Sequence, residues 1–333
     1  MPELTALERF LLLGAATSIV GLSLLEGLVL SRRGGYDWRA FGVSMFDYVL
    51  RLAVTILAPL TIAAPLVHWV TQHRLATLTV DGLGTALLLF VSLEFCYYWL
   101  HRAGHRIRWF WANHQVHHSS NQLSLVASLR IGAFGKLGGN VVFLLPLLWM
   151  GFELRLVQTA LALNLLYQFW LHATWIPKLG WLEGWFNTPS AHRVHHASNV
   201  EYLDANYGGV LLVFDRLFGT YVAERDDLPC RYGLVHPITS HNPLKVEFAG
   251  WTGLARDLVR ARSLRAFAGA VAMPPGWSAH GPGDTTEELR ARSAAAPQAL
   301  SACASIRSDA GGGATASGLA CRAGACADGG SSP

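Results

Sequence analysis

The chain is short of charge. Only 14% of its 333 residues are Asp, Glu, Lys or Arg, against 52% hydrophobic, and the mean hydropathy is +0.30. Water-soluble domains carry about a quarter charged residues, so the deficit points to a bilayer. The net charge of +4 is too small an excess to indicate a nucleic-acid partner. In an apolar chain its ordinary source is the positive-inside bias. Cysteine is sparse as well. Cys96, Cys230, Cys303, Cys321 and Cys326 are odd in number and form no CxxC pair, which argues against a disulfide framework or a zinc ribbon. Carboxylates are missing where soluble metal proteins place them. There is no HExxH motif, and no Glu-x-x-His pair of the kind that builds soluble di-iron bundles.

Long apolar runs are abundant. Residues 7–30 are enough to cross a bilayer, which takes about 20 residues. No basic segment precedes the run, so it reads as a retained span and not as a cleaved signal. Residues 43–70 form a second run, in which Pro59 and Pro65 predict a kink or a break. A third run covers 83–100. A fourth, 137–151, is short and holds Pro146; a fifth, 154–170, follows after almost no loop. These last two look like a hairpin dipping into or across the membrane. The pattern predicts an all-α, polytopic membrane bundle of about four to five spans or hairpin segments, with a helical cap. Arg32, Arg33, Arg39, Arg102, Arg106, Arg108, Arg130, Lys136 and Lys178 flank the runs so that their loops share one side. The positive-inside rule makes that side cytoplasmic. Four regions follow: membrane spans at 1–82, a central domain at 83–225, a cytoplasmic segment at 226–280, and an Ala/Gly/Ser-rich tail at 281–333 expected to be disordered.

Histidine is the unusual abundance. Nine of the fourteen lie between His101 and His196, in four places. His101 and His105 stand four residues apart. His114, His117 and His118 follow an i, i+3, i+4 pattern, and His192, His195 and His196 repeat it. On a helix such spacings bring the rings to one side. His172 stands alone at the end of the fifth run. Neutral imidazole is the commonest protein metal ligand and suits iron, zinc and copper. Eight or nine of them exceed what one zinc takes, so two metals are the natural reading. An all-histidine site at a membrane surface suggests oxygen activation on lipid. His68, His73, His236, His241 and His280 are isolated and read as surface or interfacial.

The motifs are Glu94-Phe-Cys-Tyr-Tyr-Trp-Leu-His101-Arg-Ala-Gly-His105, His114-Gln-Val-His117-His118-Ser-Ser and Thr188-Pro-Ser-Ala-His192-Arg-Val-His195-His196. Asn206-Tyr-Gly-Gly and Asp215-Arg-Leu-Phe-Gly-Thr follow. In these the chain resembles the fatty acid hydroxylase/sterol desaturase superfamily, over about residues 83–222. Gln168-Phe-Trp-Leu-His172 and the Asn206 segment look most like the alkylglycerol monooxygenase branch. Asn121-Gln-Leu-Ser124 departs from it, as bacterial sterol-desaturase-like members do. The resemblance implies a membrane-bound, non-haem di-iron oxidoreductase that hydroxylates or desaturates an aliphatic C–H of a fatty acyl, sterol or ether lipid. It implies two ferrous ions, for which zinc can substitute in purified protein, and O2. It also supports His172 as a ligand beside the eight clustered histidines.

No dinucleotide fingerprint precedes Leu100. Electrons therefore come from outside, from a reductase, a ferredoxin, a cytochrome or a pterin. Glu94 lies two helical turns before His101, on the same face. It reads either as a group orienting a ligand imidazole from behind or as a buried acid paired with an arginine. Asn206 reads as a holder of a metal-bound water or a ligand ring, or as a turn residue. Tyr97, Tyr98, Trp99, Trp109 and Trp111 read mostly as interface anchors, with a few lining an acyl channel. Two other classes fit less well. A non-catalytic membrane metal-binding protein would not need so many rigidly spaced ligands. A zinc-dependent lipid hydrolase would need a general base between the histidines.

Overall fold

The computed structural model describes residues 5–57 and 62–295. Among these the fold is helical, with isolated β-bridges and no strand. Three helices are long and apolar enough to cross a membrane: α1 (Ala6–Arg32), α2 (Trp38–Leu57) and α4 (Leu83–Arg106). The short α3 (Ala64–Gln72) precedes α4. A capping box starts α1, with Thr5 and Glu8 satisfying each other's backbone N–H.

The two N-terminal spans are inside out relative to a soluble helix. Among the described residues, α1 buries Ala15, Ser23, Glu26 and Gly27, and α2 buries Val43, Ser44 and Asp47. Their leucines and isoleucines, such as Leu13, Leu25, Ile56 and Leu57, face outward. This is the pattern of an integral membrane protein, since a bilayer solvates the apolar face and a buried acid needs partners. Glu26 accepts the Leu125 N–H at 2.7 Å and the Trp175 indole N–H at 3.0 Å. Asp47 accepts the N–H groups of Ile131 at 2.9 Å and Gly132 at 3.3 Å. The spans thus hold the loop that follows the first HxxHH motif.

The second apolar run breaks. α2 ends at Leu57 and α3 begins at Ala64, with Pro65 in its first turn, where proline's missing N–H costs nothing. Pro59 lies outside the described residues. The expected fourth and fifth spans are shorter than spans. A 3-10 turn, Asn140–Leu144, leads into α6 (Leu145–Met150), and α7 (Leu154–Gln168) returns from it. Neither segment reaches the roughly 20 residues a crossing takes. Gly151 turns the hairpin at φ +122°, where a side chain would also lie 2.3 Å from the Ala76 carbonyl. Leu147, Leu148 and Val157 of the hairpin are fully buried against Leu89, Leu93 and Cys96 of α4. Cys96 serves there as a small hydrophobe.

Beyond α4 come α5 (Arg108–His118), α8 (Pro189–His195), α9 (Val213–Leu217), α10 (Pro243–Arg260) and α11 (Leu264–Ala272). Asn242 caps α10 by accepting from the N–H groups of Leu244 and Lys245. Residues 286–295 are helical, where composition alone suggests disorder. The reason is local. Thr285 and Glu288 form a reciprocal cap, with bonds of 3.0 and 3.4 Å. The remainder of the tail, with Cys303, Cys321 and Cys326, lies outside the described residues.

Candidate metal centre

Nine histidines converge between α4, α5, α8 and the 3-10 turn Trp170–His172. His101, His105, His114, His118 and His195 form one set; His117, His172, His192 and His196 form the other. Within each set, one nitrogen per ring lies within 4.8 Å of all the others. The sets adjoin, with ring centroids 4.5 Å apart for His118–His196 and 5.3 Å apart for His117–His118.

Helix geometry explains the division. Residues i+3 and i+4 differ by about 100° around a helix. So His114 and His118 point to the first set while His117 points to the second. The second motif divides in the opposite sense: His192 and His196 enter the second set and His195 the first. Each HxxHH motif therefore feeds both centres and ties them together.

The imidazoles are aimed by backbone carbonyls. His101 Nδ1 donates to Tyr207 O at 2.8 Å, and His117 Nδ1 to Arg130 O at 2.8 Å. His172 Nδ1 donates to Gln168 O at 3.0 Å, and His195 Nδ1 to Ala205 O at 2.9 Å. Each such bond fixes the tautomer and leaves Nε2 free as the ligand atom. The donor set fits metal ions. His101 Nε2 and His195 Nε2 are buried without a hydrogen-bond partner. Facing nitrogens lie 3.1 Å apart in His105–His114, 3.2 Å in His114–His118, 3.2 Å in His172–His192 and 3.1 Å in His192–His196. Metal–imidazole bonds of about 2 Å place neighbouring ligand nitrogens about 3 Å apart.

Ligand imidazoles have to be neutral, and the surroundings of the seven outside α4 favour that form. Burial, with repulsion from neighbouring rings, holds His114, His118, His192, His195 and His196 well below the usual histidine range. Burial alone is the main reason that His117 is pushed down to about 4 and His172 to about 3. Asp204 lies beside His105 Nδ1 at 3.5 Å and also accepts from Arg106 Nη1 at 2.6 Å and Thr286 Oγ1 at 2.7 Å. Burial pushes its carboxyl up, but these partners prevail and hold it below the usual range.

Glu94 and Asn206 stand apart from the imidazoles. Glu94 is fully buried, and its partners are neither a histidine nor an arginine. Its Oε2 accepts the N–H groups of Val210 at 2.9 Å and Leu211 at 2.7 Å, and its Oε1 accepts from Asn164 Nδ2. It thus braces the loop whose Tyr207 carbonyl aims His101. Asn206, at φ +58°, spends its whole amide on backbone. Nδ2 donates to Ala191 O and Val222 O, and Oδ1 accepts from Val222 N. It is a turn residue locking α8 beside the Ala205 carbonyl that aims His195. The five isolated histidines are exposed; His236 meets Asp284 and His241 meets Asp37.

Sequence reasoning gave no role to several supports. Asp215 accepts from Tyr207 N, Gly208 N and Thr220 Oγ1, shaping the turn behind His101. Arg193 grips Glu224 through two parallel bonds of 2.9 and 2.7 Å and donates to Ile176 O, which seats α8. The Asp-Arg-Leu-Phe-Gly-Thr motif is the one signal that marked Asp215.

A cavity of about 310 Å³ abuts both histidine sets. His101 and His114 line it from the first, His117 and His172 from the second. Leu100, Phe110, Ile131, Val141, Leu161 and Leu165 make most of its wall apolar, with Tyr97 and Gln168 among its polar members.

Residues 86–220 match the family model described as fatty acid hydroxylase. This segment is a fatty acid hydroxylase family domain. The domain contains every histidine of the two sets. Among curated proteins the chain is 42% identical to alkylglycerol monooxygenase of Homo sapiens over 177 residues, which is 53% of this chain and 39% of that protein. It is 36% identical to alkylglycerol monooxygenase of Xenopus tropicalis, over 68% of this chain and 46% of the relative. It is 29% identical to ornithine lipid hydroxylase OlsE of Rhizobium tropici, over 46% and 44%. The chain thus spans half or less of the length of these relatives. No solved structure matches it.

Proposed function

We propose that the chain is an O2-dependent lipid hydroxylase whose nine histidines hold two iron ions at the cytoplasmic membrane face. The observation that carries this reading is the convergence of two sets of imidazoles, four of the rings aimed by backbone carbonyls, on the wall of an apolar cavity. Soluble di-iron bundles mix carboxylates with histidine; an all-imidazole set leaves the iron pair more positively charged. Bound iron supplies the power to activate O2 for attack on an unactivated C–H bond. The named relatives, alkylglycerol monooxygenase and ornithine lipid hydroxylase, support hydroxylation in preference to desaturation.

The protein's part is placement and exclusion of water. Tyr207, Arg130, Gln168 and Ala205 carbonyls keep four rings in the metal-binding tautomer. The apolar walls take up an alkyl chain and keep the reacting carbon dry. The basic residues that flank the histidine motifs, Arg102, Arg106 and Arg108 among them, support a cytoplasmic site, where an external reductase, ferredoxin, cytochrome or pterin would deliver electrons.

The test is metal analysis of the purified chain joined to an oxygen-uptake assay with 1-O-alkylglycerol and a pterin or reductase. Two irons per chain, and a product heavier by one oxygen, are expected. Metal bound with no oxygen uptake under any donor would make the chain a non-catalytic metal-binding protein. Product formation by iron-free protein would end the reading outright.

A further inference from the structure

The cavity is served by a buried hydrogen-bond chain whose direction is fixed at its far end. Backbone N–H groups can only donate, so Val210 and Leu211 make Glu94 Oε2 an acceptor. As an ionised carboxylate Glu94 accepts at Oε1 too, from the amide nitrogen of Asn164. That leaves Asn164 Oδ1 to accept from Gln168 Nε2, at 2.6 Å. Gln168 Oε1 in turn has only acceptor character, and it takes the Tyr97 hydroxyl proton at 3.0 Å. Amide orientation follows from such networks, and here every link agrees. Gly209 makes the chain possible, because a side chain there would lie 2.5 Å from Asn164.

Tyr97 has one hydroxyl proton, and it is spent. Tyr97 and Gln168 both line the cavity, and the Tyr97 ring packs edge-on to His101 with centroids 5.6 Å apart. The hydroxyl oxygen is therefore an acceptor carried by a ring that packs beside the first histidine set, in a largely apolar wall. An acceptor placed there pairs with a donor and repels an ether or ester oxygen.

We propose that Tyr97 is a specificity-determining residue that accepts a hydrogen bond from the lipid substrate. This rests on reading the cavity as the substrate site. The substrate carries a donor, a hydroxyl or an amide N–H, close to the carbon that is attacked. Glu94 acts through two amides as the positioning residue that sets the sign of Tyr97. Such selection is strong because a donor-capped analogue strands a buried acceptor.

The experiment is equilibrium binding to the full-length, metal-loaded protein in nanodiscs without oxygen. Two probe pairs are compared: 1-O-alkylglycerol with its di-O-methyl ether, and an N-alkyl fatty amide with its N-methylated form. The wild type prefers the donor-bearing member of at least one pair by about ten-fold or more, and the pair that discriminates tells hydroxyl from amide. Tyr97→Phe erases that preference. Glu94→Gln keeps an acceptor for Val210 and Leu211 but turns an amide toward Asn164; each amide then flips, Tyr97 donates, and the capped probe gains. Equal binding of both members of each pair by the wild type, or of neither, overturns the proposal, as does an undiminished preference in Tyr97→Phe. An unaltered preference in Glu94→Gln overturns the relay. Lipid turnover is scored separately: preference without any oxygenated product defeats the hydroxylase reading and leaves the assignment of Tyr97 standing.

Discussion

Helices α1 and α10 bury faces of opposite character. α1 turns Ser23, Glu26 and Gly27 inward and leucines outward. α10 turns Val246, Gly250 and Leu254 inward, with Glu247 as its one buried acid, and shows Lys245, Arg256, Asp257 and Arg260 outward beside Leu244 and Val259. The first pattern suits a helix solvated by hydrocarbon on its outer face. The second suits one lying at the headgroup layer. The same inward acid plays the same part in both: Glu26 accepts from Leu125 N, and Glu247 from Ala133 N at 2.8 Å. Solvent differs across the molecule, while the device that holds the 125–133 loop does not.

The comparison can be strained from several sides. The largest effect is expected at the centre that both regions support. His195→Ala removes a proposed ligand whose Nδ1 is tied to Ala205 O, and activity should fall more than about 100-fold, with metal loss read by elemental analysis. Acidification should act next. Histidines titrate near 6.5 when unfolded, whereas His117 and His172 do so at about 4 and about 3 in the folded chain, mainly through burial. The folded form binds fewer protons. The stability of the neutral cluster is therefore complete above about pH 6.5 and is lost as the pH falls toward 4 and then 3. Metal retention against pH should show the decline on the acid side only.

Smaller effects test the helices themselves. Leu22→Arg places a charge at the outward centre of α1 and should cost about 3 kcal/mol of insertion, measured by glycosylation mapping. Glu26→Leu strands the Leu125 N–H and the Trp175 indole and should cost about 2 kcal/mol, read as a lowered Tm in detergent. Val259→Arg, on the exposed side of α10, should change stability by less than about 0.5 kcal/mol. An equal cost for Leu22→Arg and Val259→Arg would erase the distinction between the two solvents.

Much of this was written in local spacing. The helix period alone brings His114, His117 and His118 to one end of α5, and length alone marks the three long helices. The proline rule located the break before α3. What spacing could not reveal are partners far away in sequence. Glu94 answers to amides 116 and 117 residues later, so its distance from His101 along the helix was a misleading measure of its role. Asn206 looked like a candidate because it follows the histidines; its positive φ and backbone bonds make it a fastener. The hairpin of α6 and α7 has the composition of membrane spans but not their length. The onset of the tail was masked because a two-residue cap outweighs a poor neighbourhood.

The four carbonyls behind His101, His117, His172 and His195 carry a final consequence. A carbonyl is supplied by every residue type, so the groups that aim these rings survive almost any change of side chain at positions 130, 168, 205 and 207. The aiming is encoded in the path of the main chain. The cavity wall can thus change its side chains while these four rings keep their aim, and a designer can randomise the apolar lining without first rebuilding the histidine sets.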